Sequence, residues 1–124
     1  MGMYRKKESG VKTNKVSESK LQQEIFTWHW NTRPSERGLL FMVYNTPPNA
    51  KAGAMLKGMG MIAGVSDMIY LSPLHGAIMV ELKTDEGRQS TDQKKWQKAV
   101  ENAGYRYVIV RSLEDFKKII EQHL

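Results

Sequence analysis

The chain has 124 residues, of which 40% are hydrophobic, with no cysteine and a net charge of +6. This length favours one domain. The lack of cysteine excludes disulfides and thiolate metal sites. No apolar run reaches the roughly 20 residues that cross a bilayer. The lack of cysteine is also compatible with a cytoplasmic location. The basic balance favours a polyanionic partner, either nucleic acid or an acidic membrane surface.

The N-terminal part of the chain predicts a polar arm followed by a helix. Residues 1–18 are basic with few large apolar groups, and we interpret them as a flexible arm that precedes a single domain over 19–124. Ser19 and Gln22 have the spacing of a capping box, so the first helix is predicted to begin at Ser19 and to end before Pro34.

The middle of the chain predicts three strands and one weak element. Residues 39–44 are apolar and read as the first strand, while the Met- and Gly-rich segment 51–63 predicts a short helix or a loop. Residues 67–71 and 77–83 predict two further strands. Turn residues over 72–76 lie between them, and we expect a hairpin.

The C-terminal third predicts a helix, a strand and a last helix. Ser90 and Gln93 fit a second capping box, and Gly104 is a natural stop for the helix that they begin. Residues 105–110 alternate and predict a strand, after which Ser112 caps the final helix. The predicted order is α-β-(α)-β-β-α-β-α.

Several side chains admit a structural and a functional interpretation. His29 lies between two tryptophans, where packing or hydrogen bonding is expected rather than metal binding. Trp30 and the methionines of segment 51–63 are expected to pack in the core, with a dimer face as the alternative.

The residues that indicate chemistry are Asp67 and the tripeptide Glu81-Leu82-Lys83. Side chains on a strand alternate between faces, so Glu81 and Lys83 share one face. A hairpin would bring Asp67, at the start of one strand, close to both. Because Mg²⁺ prefers carboxylate and carbonyl oxygens, we predict that Asp67, Glu81 and the carbonyl of Leu82 hold it.

In this arrangement Lys83 would orient the attacking water or stabilise the charge that develops during phosphodiester hydrolysis. The alternative interpretation of Asp67, Glu81 and Lys83 is a surface ion pair at the end of a strand, because the pattern is short.

Beyond these residues, the sequence resembles the VRR-NUC family of the PD-(D/E)xK nuclease superfamily over roughly residues 19–112. The resemblance rests on an early helical acid and four short motifs, which are specific only in combination: Glu24, Gly64-Val-Ser-Asp67, Glu81-Leu-Lys83, Gln89-Ser-x-x-Gln93 with Trp96, and Tyr107-Val-Ile-Val-Arg111. Two departures are Ser66, where the superfamily name has proline, and Ser112, where the family name has its last arginine. The chain therefore lacks the side chain that the family's last arginine would supply.

The resemblance implies an α/β fold with a restriction-endonuclease-like core, a mixed central sheet flanked by helices, and Mg²⁺ or Mn²⁺ as cofactor. It implies that Glu24, Asp67 and Glu81 are the acidic positions, that Lys83 is the catalytic lysine and that Gln93 is an active-site residue. Gln93 has the alternative role of closing the Ser90 capping box. Glu24 lies on or beside the apolar stripe of its helix, with a solvated position as the alternative.

The resemblance also implies a stand-alone protein of the bacterial or phage type, similar to Holliday junction resolvases that act as homodimers. We therefore predict a metal-dependent, structure-selective endonuclease that cuts branched DNA as a homodimer in the cytoplasm of a bacterial or phage-infected cell, with no membrane partner. The alternatives are a monomeric flap or end-processing nuclease and a non-catalytic nucleic-acid-binding module.

Overall fold

A computed structural model of the chain describes residues 18–122. They form a four-stranded mixed sheet flanked by helices. The strands in chain order are β1 (Leu40–Met42), β2 (Met68–Ser72), β3 (Gly76–Leu82) and β4 (Arg106–Val110). The helices are α1 over residues 18–32, a 3-10 turn at Pro34–Glu36, α2 (Ala50–Gly58), α3 (Thr91–Asn102) and α4 (Leu113–Gln122).

The strand order in the sheet is β1-β2-β3-β4, with β1 antiparallel to β2 and β2 antiparallel to β3. The pair of β2 and β3 is the predicted hairpin. The last pair differs in direction. The N–H of Lys83, which directly follows β3, donates to the carbonyl of Val110 at the end of β4, at 3.0 Å. The carboxyl ends of β3 and β4 therefore lie at the same edge, as in a parallel pair joined by a helical crossover.

The predicted order of helices and strands is confirmed, and the open question over segment 51–63 is decided in favour of a helix. The Asn49 side chain caps α2 by accepting the N–H of Ala52 at 2.8 Å. The capping box of Ser90 and Gln93 is present at the start of α3, and Gly104 follows that helix with a positive φ of 92°. Local capping chemistry therefore fixes both ends of this helix.

The start of α1 differs from the prediction. Glu18 is already helical, so Ser19 lies inside the helix instead of capping it. A serine followed three residues later by a glutamine is common in polar sequence, and the spacing alone does not fix a boundary. The predicted arm lies outside the described residues, except for Glu18.

The chain divides into two compact units. The first comprises residues 18–37, 82–88 and 109–122 of the described chain. Its core consists of apolar side chains from α1, α4 and the adjoining strand ends: Leu21, Ile25, Leu82, Val110, Phe116 and Ile120. His29 is buried in this unit and hydrogen-bonds Glu36 at 3.0 Å, so its predicted hydrogen-bonding role is confirmed.

The second unit comprises Gly38–Glu81 and Gln89–Val108. Its buried apolar side chains come from all four strands and α3: Leu40, Met68, Tyr70, Ile78, Val80, Val100 and Tyr107. Alternate residues of β2 are buried, as expected of a strand with one face on a core.

The expectation that Trp30 and the methionines of segment 51–63 pack in the core is wrong for Trp30, Met55 and Met59, which are exposed. Only Gly53 of α2 is buried, because a nine-residue helix with two glycines has no apolar stripe to bury. Within residues 18–122, no helix combines the length and apolar character needed to span a bilayer.

Candidate active site

The hairpin of β2 and β3 places two carboxylates next to each other. Met68 pairs with Val80, Asp67 precedes Met68 and Glu81 follows Val80, so the two acids occupy the next rung of the hairpin. The carbonyl of Asp67 accepts the N–H of Val43 at 2.9 Å, which fixes the backbone there. Asp67 is partly exposed, whereas Glu81 is fully buried at 0% exposure.

Hydrogen bonds hold the carboxylate of Glu81 in one orientation. The Tyr107 hydroxyl donates to Oε1 of Glu81, and Nε2 of Gln89 donates to the same oxygen at 3.2 Å. Gln89 is held in turn, because its Nε2 also donates to Oε1 of Gln97 at 2.8 Å. Donors of this kind offset part of the cost of burying a carboxylate.

The environment of Tyr107 keeps its hydroxyl protonated. Burial raises the pKa of Tyr107 above its usual range, and the hydrogen bond to Glu81, the charge of Glu81 and the charge of Asp67 add to the increase, while Gln89 opposes it. In the folded chain Tyr107 stays protonated at pH values just above about 10, where an ordinary tyrosine loses its proton. The contribution of Tyr107 protonation to the free energy of unfolding therefore decreases as the pH rises above about 10. Tyr107 therefore acts as a neutral donor in the same electrostatic cluster as Asp67 and Glu81.

Leu82 and Lys83 continue the chain directly after Glu81. Leu82 is buried, and the backbone N–H of Lys83 is bound to Val110 as described above. The loop that follows is held by Arg111, whose Nη1 donates to the carbonyls of Thr84 at 2.7 Å and Gly87 at 3.0 Å. Arg111 thus orders the segment next to Lys83.

Gly64 lets the loop before β2 approach the start of α3 closely. Gly64 has φ of +85°, and a Cβ atom there would lie 2.4 Å from the carbonyl carbon and oxygen of Asp92 and 2.8 Å from the nitrogen of Gln93. Ser66, at the position of the family's proline, is buried and donates to the carbonyl of Met68 at 3.0 Å. The motif around Asp67 is therefore fixed by backbone contact with α3.

The structure assigns Gln93 a capping role. Its Oε1 accepts the N–H of Ser90 at 2.8 Å, and its own N–H donates to Oγ of Ser90 at 3.1 Å. A part in the active site stays a prediction for Gln93.

Glu24 is exposed on α1 and belongs to the first unit. The buried residues around it are Leu21, Ile25 and His29, so Glu24 lies beside the buried stripe and not within it. Glu24 therefore occupies the solvated position, and its part in the site stays a prediction.

The donor set of the candidate site suits a hard divalent cation. Within residues 18–122, no group of three or more His, Asp or Glu side chains is arranged to hold a metal ion. The predicted ligands are two carboxylates and one main-chain carbonyl, from Asp67, Glu81 and Leu82. Mg²⁺ takes such oxygens and keeps several waters, so this small set fits it.

Sequence reasoning missed the partners of Glu81. Tyr107 and Gln89 hydrogen-bond Glu81, and Gln97 hydrogen-bonds Gln89, yet the sequence alone predicts no role in the site for any of them. A tyrosine on the buried face of an alternating strand is itself a signal, because its hydroxyl needs a hydrogen-bond partner inside the protein. The identity of that partner does not follow from the pattern.

We expect Tyr107→Phe to raise the metal concentration needed for half-maximal DNA cleavage about 10-fold, since residues that orient a ligand affect metal affinity by 10–100-fold. The phenyl ring keeps its edge contact with Trp96, whose ring centroid lies 6.0 Å away, so the fold is retained. A metal titration of cleavage, with thermal unfolding measured in parallel, checks this prediction.

Tyr105→Phe is the matched control, because the same hydroxyl is removed from an exposed tyrosine two residues away. An unchanged metal requirement in the Tyr107 variant would show that its hydroxyl does not position Glu81.

The family of the chain follows from comparison with known proteins. The family model described as "VRR-NUC domain" matches residues 12–114. A solved structure titled "VRR_NUC domain protein" superposes with a TM-score of 0.69 at 20% identity, covering 86% of this chain and 87% of that chain, which shows the shared fold. No curated protein sequence matches the chain. Because this family model matches most of the chain, the chain belongs to the VRR-NUC family of PD-(D/E)xK-type nucleases.

Proposed function

We propose that the protein is a divalent-metal-dependent endonuclease that hydrolyses phosphodiesters in branched DNA, Holliday junctions in particular, as a homodimer. The main support is the pairing of Asp67 with Glu81 on adjacent strands, with Glu81 buried and held by hydrogen bonds. A buried, oriented carboxylate next to a partly exposed one is costly to fold and is typical of a catalytic centre.

Asp67, Glu81 and the carbonyl of Leu82 would hold the metal ion. When bound, Mg²⁺ or Mn²⁺ lowers the pKa of a coordinated water and neutralises charge on the scissile phosphate. The protein contributes the orientation of the ligands: Tyr107 and Gln89 fix one oxygen of Glu81, and the hairpin register fixes Asp67 beside it.

Lys83 follows Glu81 by two residues and supplies the positive charge of the site. In our proposal its ammonium group orients the attacking water or stabilises the negative charge that develops on the phosphate. Glu24 and Gln93 support the site, as the resemblance to the family implies.

Surface charge supports DNA as the partner. The chain has a net charge of +6, and Lys94, Lys95 and Lys98 are exposed on α3. Lysines on one helix can contact successive phosphates and position a duplex without reading its sequence. The contribution of these phosphate contacts to DNA affinity decreases as the salt concentration rises.

Exposed apolar side chains in the second unit support a homodimer. β1 is an edge strand of the sheet and exposes Phe41 and Met42. Tyr44 and Ile62, both exposed, line a depression of about 290 Å³. An edge strand with apolar side chains readily pairs with another chain, and a twofold dimer would supply two active sites for the two strands of a junction.

The proposal is tested with a labelled four-way junction, a flap and a linear duplex, each incubated with Mg²⁺, Mn²⁺ or EDTA, while light scattering measures the mass in solution. We expect a dimer that makes paired, symmetric, metal-dependent nicks in the junction. A monomer that cuts only the flap would indicate an end-processing nuclease, and binding without any cleavage would indicate a non-catalytic module. Either result would contradict the proposal.

A further inference from the structure

Two aromatic side chains and one arginine form an exposed stack on α1 and the segment after it. Phe26 and Trp30 lie one turn apart, with ring centroids separated by 5.7 Å and ring planes 29° apart. The guanidinium of Arg37 lies 4.9 Å from the centroid of the Trp30 ring. We call Phe26, Trp30 and Arg37 the aromatic platform.

The fold does not require these rings in its core. The buried stripe of α1 consists of Leu21, Ile25 and His29, whereas Phe26 is 38% exposed and Trp30 is 40% exposed. Large aromatic surface left in water forgoes the stabilisation that burial would give. Two such side chains stacked together are therefore better explained by a partner than by folding.

The platform is ordered before any partner binds. The Nε of Arg37 donates to the carbonyl of Trp30 at 2.9 Å, which fixes the guanidinium beside the indole ring. The ring of Phe26 stacks with the same indole and restricts its motion further. Side chains that are already ordered lose less conformational entropy on binding. The same contact area on the platform therefore gives a higher affinity than it would on side chains that become ordered only when the partner binds.

The charge of the platform favours an anionic partner. Among residues 18–122, Arg37 forms no ion pair with a carboxylate, whereas the neighbouring Arg33 is bound to Glu36 at 3.5 Å. The Nε bond uses one of the five N–H donors of Arg37 and leaves donors for phosphate oxygens. An apolar surface from a second copy would offer nothing to this guanidinium.

We infer that the aromatic platform binds an unpaired DNA nucleotide, with its base stacked on the rings and its phosphate bound by Arg37. This rests on the proposed function, which makes DNA the substrate. Bases in a duplex are stacked on each other and offer no free face, whereas bases in a single-stranded stretch do, and aromatic–base stacking tolerates any sequence. The platform therefore adds affinity wherever the branched DNA exposes an unpaired base.

Binding is measured in EDTA, so that no cleavage occurs, by the fluorescence anisotropy of a labelled oligothymidylate and of a blunt duplex. We expect Trp30→Leu to weaken oligothymidylate binding about 10-fold, because it removes one ring on which a base stacks, and to leave duplex binding unchanged. Trp30→Phe retains a ring and is expected to retain most of the affinity. Phe26→Leu is also expected to weaken oligothymidylate binding, by a smaller factor. This variant keeps the contact between Trp30 and Arg37.

Tyr105→Leu is the matched control, because it removes an aromatic ring that is even more exposed, at 54%, from the second unit. Equal oligothymidylate affinity in wild type, Trp30→Leu and Phe26→Leu would overturn the inference. If Trp30→Leu changed the oligomeric state and weakened binding to the oligothymidylate and the duplex alike, the platform would be a subunit contact. That result would also overturn the inference. A protein that binds oligothymidylate through Trp30 but cuts no DNA would contradict the proposed function and leave this inference standing.

Discussion

Replacing Lys83 by methionine is expected to lower the rate of DNA cleavage by at least about 100-fold, because removal of one group that stabilises developing charge costs about 10²–10³ in rate. Methionine keeps the length of the side chain and removes its charge. Lys83 is only partly buried, so the free energy of unfolding is expected to change little. Single-turnover cleavage with saturating metal measures the chemical step, and thermal unfolding reports the fold.

Lys57→Met is the matched control, since Lys57 is exposed near the end of α2 and has no place in the candidate site. Asp67→Asn tests the metal ligand separately, because it removes a carboxylate charge and retains the size of the side chain. Full activity in both Lys83→Met and Asp67→Asn would refute the assignment of the site and favour a surface ion pair at the strand end.

The second large effect is expected on stability, from Gly64→Ala. The new Cβ would meet the backbone of Asp92 at 2.4 Å, and φ of +85° is itself strained for alanine. Backbone cannot give way as a flexible side chain can, so we expect a loss of about 3 kcal/mol in the free energy of unfolding. Chemical denaturation measures this loss.

Gly104→Ala separates the two causes. Gly104 has a similar φ of +92° but no atom within 4 Å of an added Cβ, so its variant reports backbone strain alone, on the order of 1 kcal/mol. If Gly64→Ala cost no more than Gly104→Ala, the loop before β2 would not contact α3 as described.

Elements whose signals are local can be predicted from the amino-acid sequence alone. The capping box of Ser90 and Gln93 joins residues three apart, and the turn between β2 and β3 joins strands that are neighbours in the chain. Local hydrogen bonds and alternation of side chains depend on short stretches of sequence, so these predictions are confirmed. The pairing of Asp67 with Glu81 follows from the same hairpin.

Which side chains support the buried carboxylate, and which remain exposed, depends on how distant parts of the chain pack. Tyr107 reaches Glu81 from 26 residues away, and Gly64 meets Asp92 from another element. Periodicity shows that a side chain faces a core but not which residue it meets there, because that depends on how separate elements pack. Trp30 illustrates the same limit: its aromatic character predicts burial, yet the space within the first unit is filled by other residues of α1 and α4.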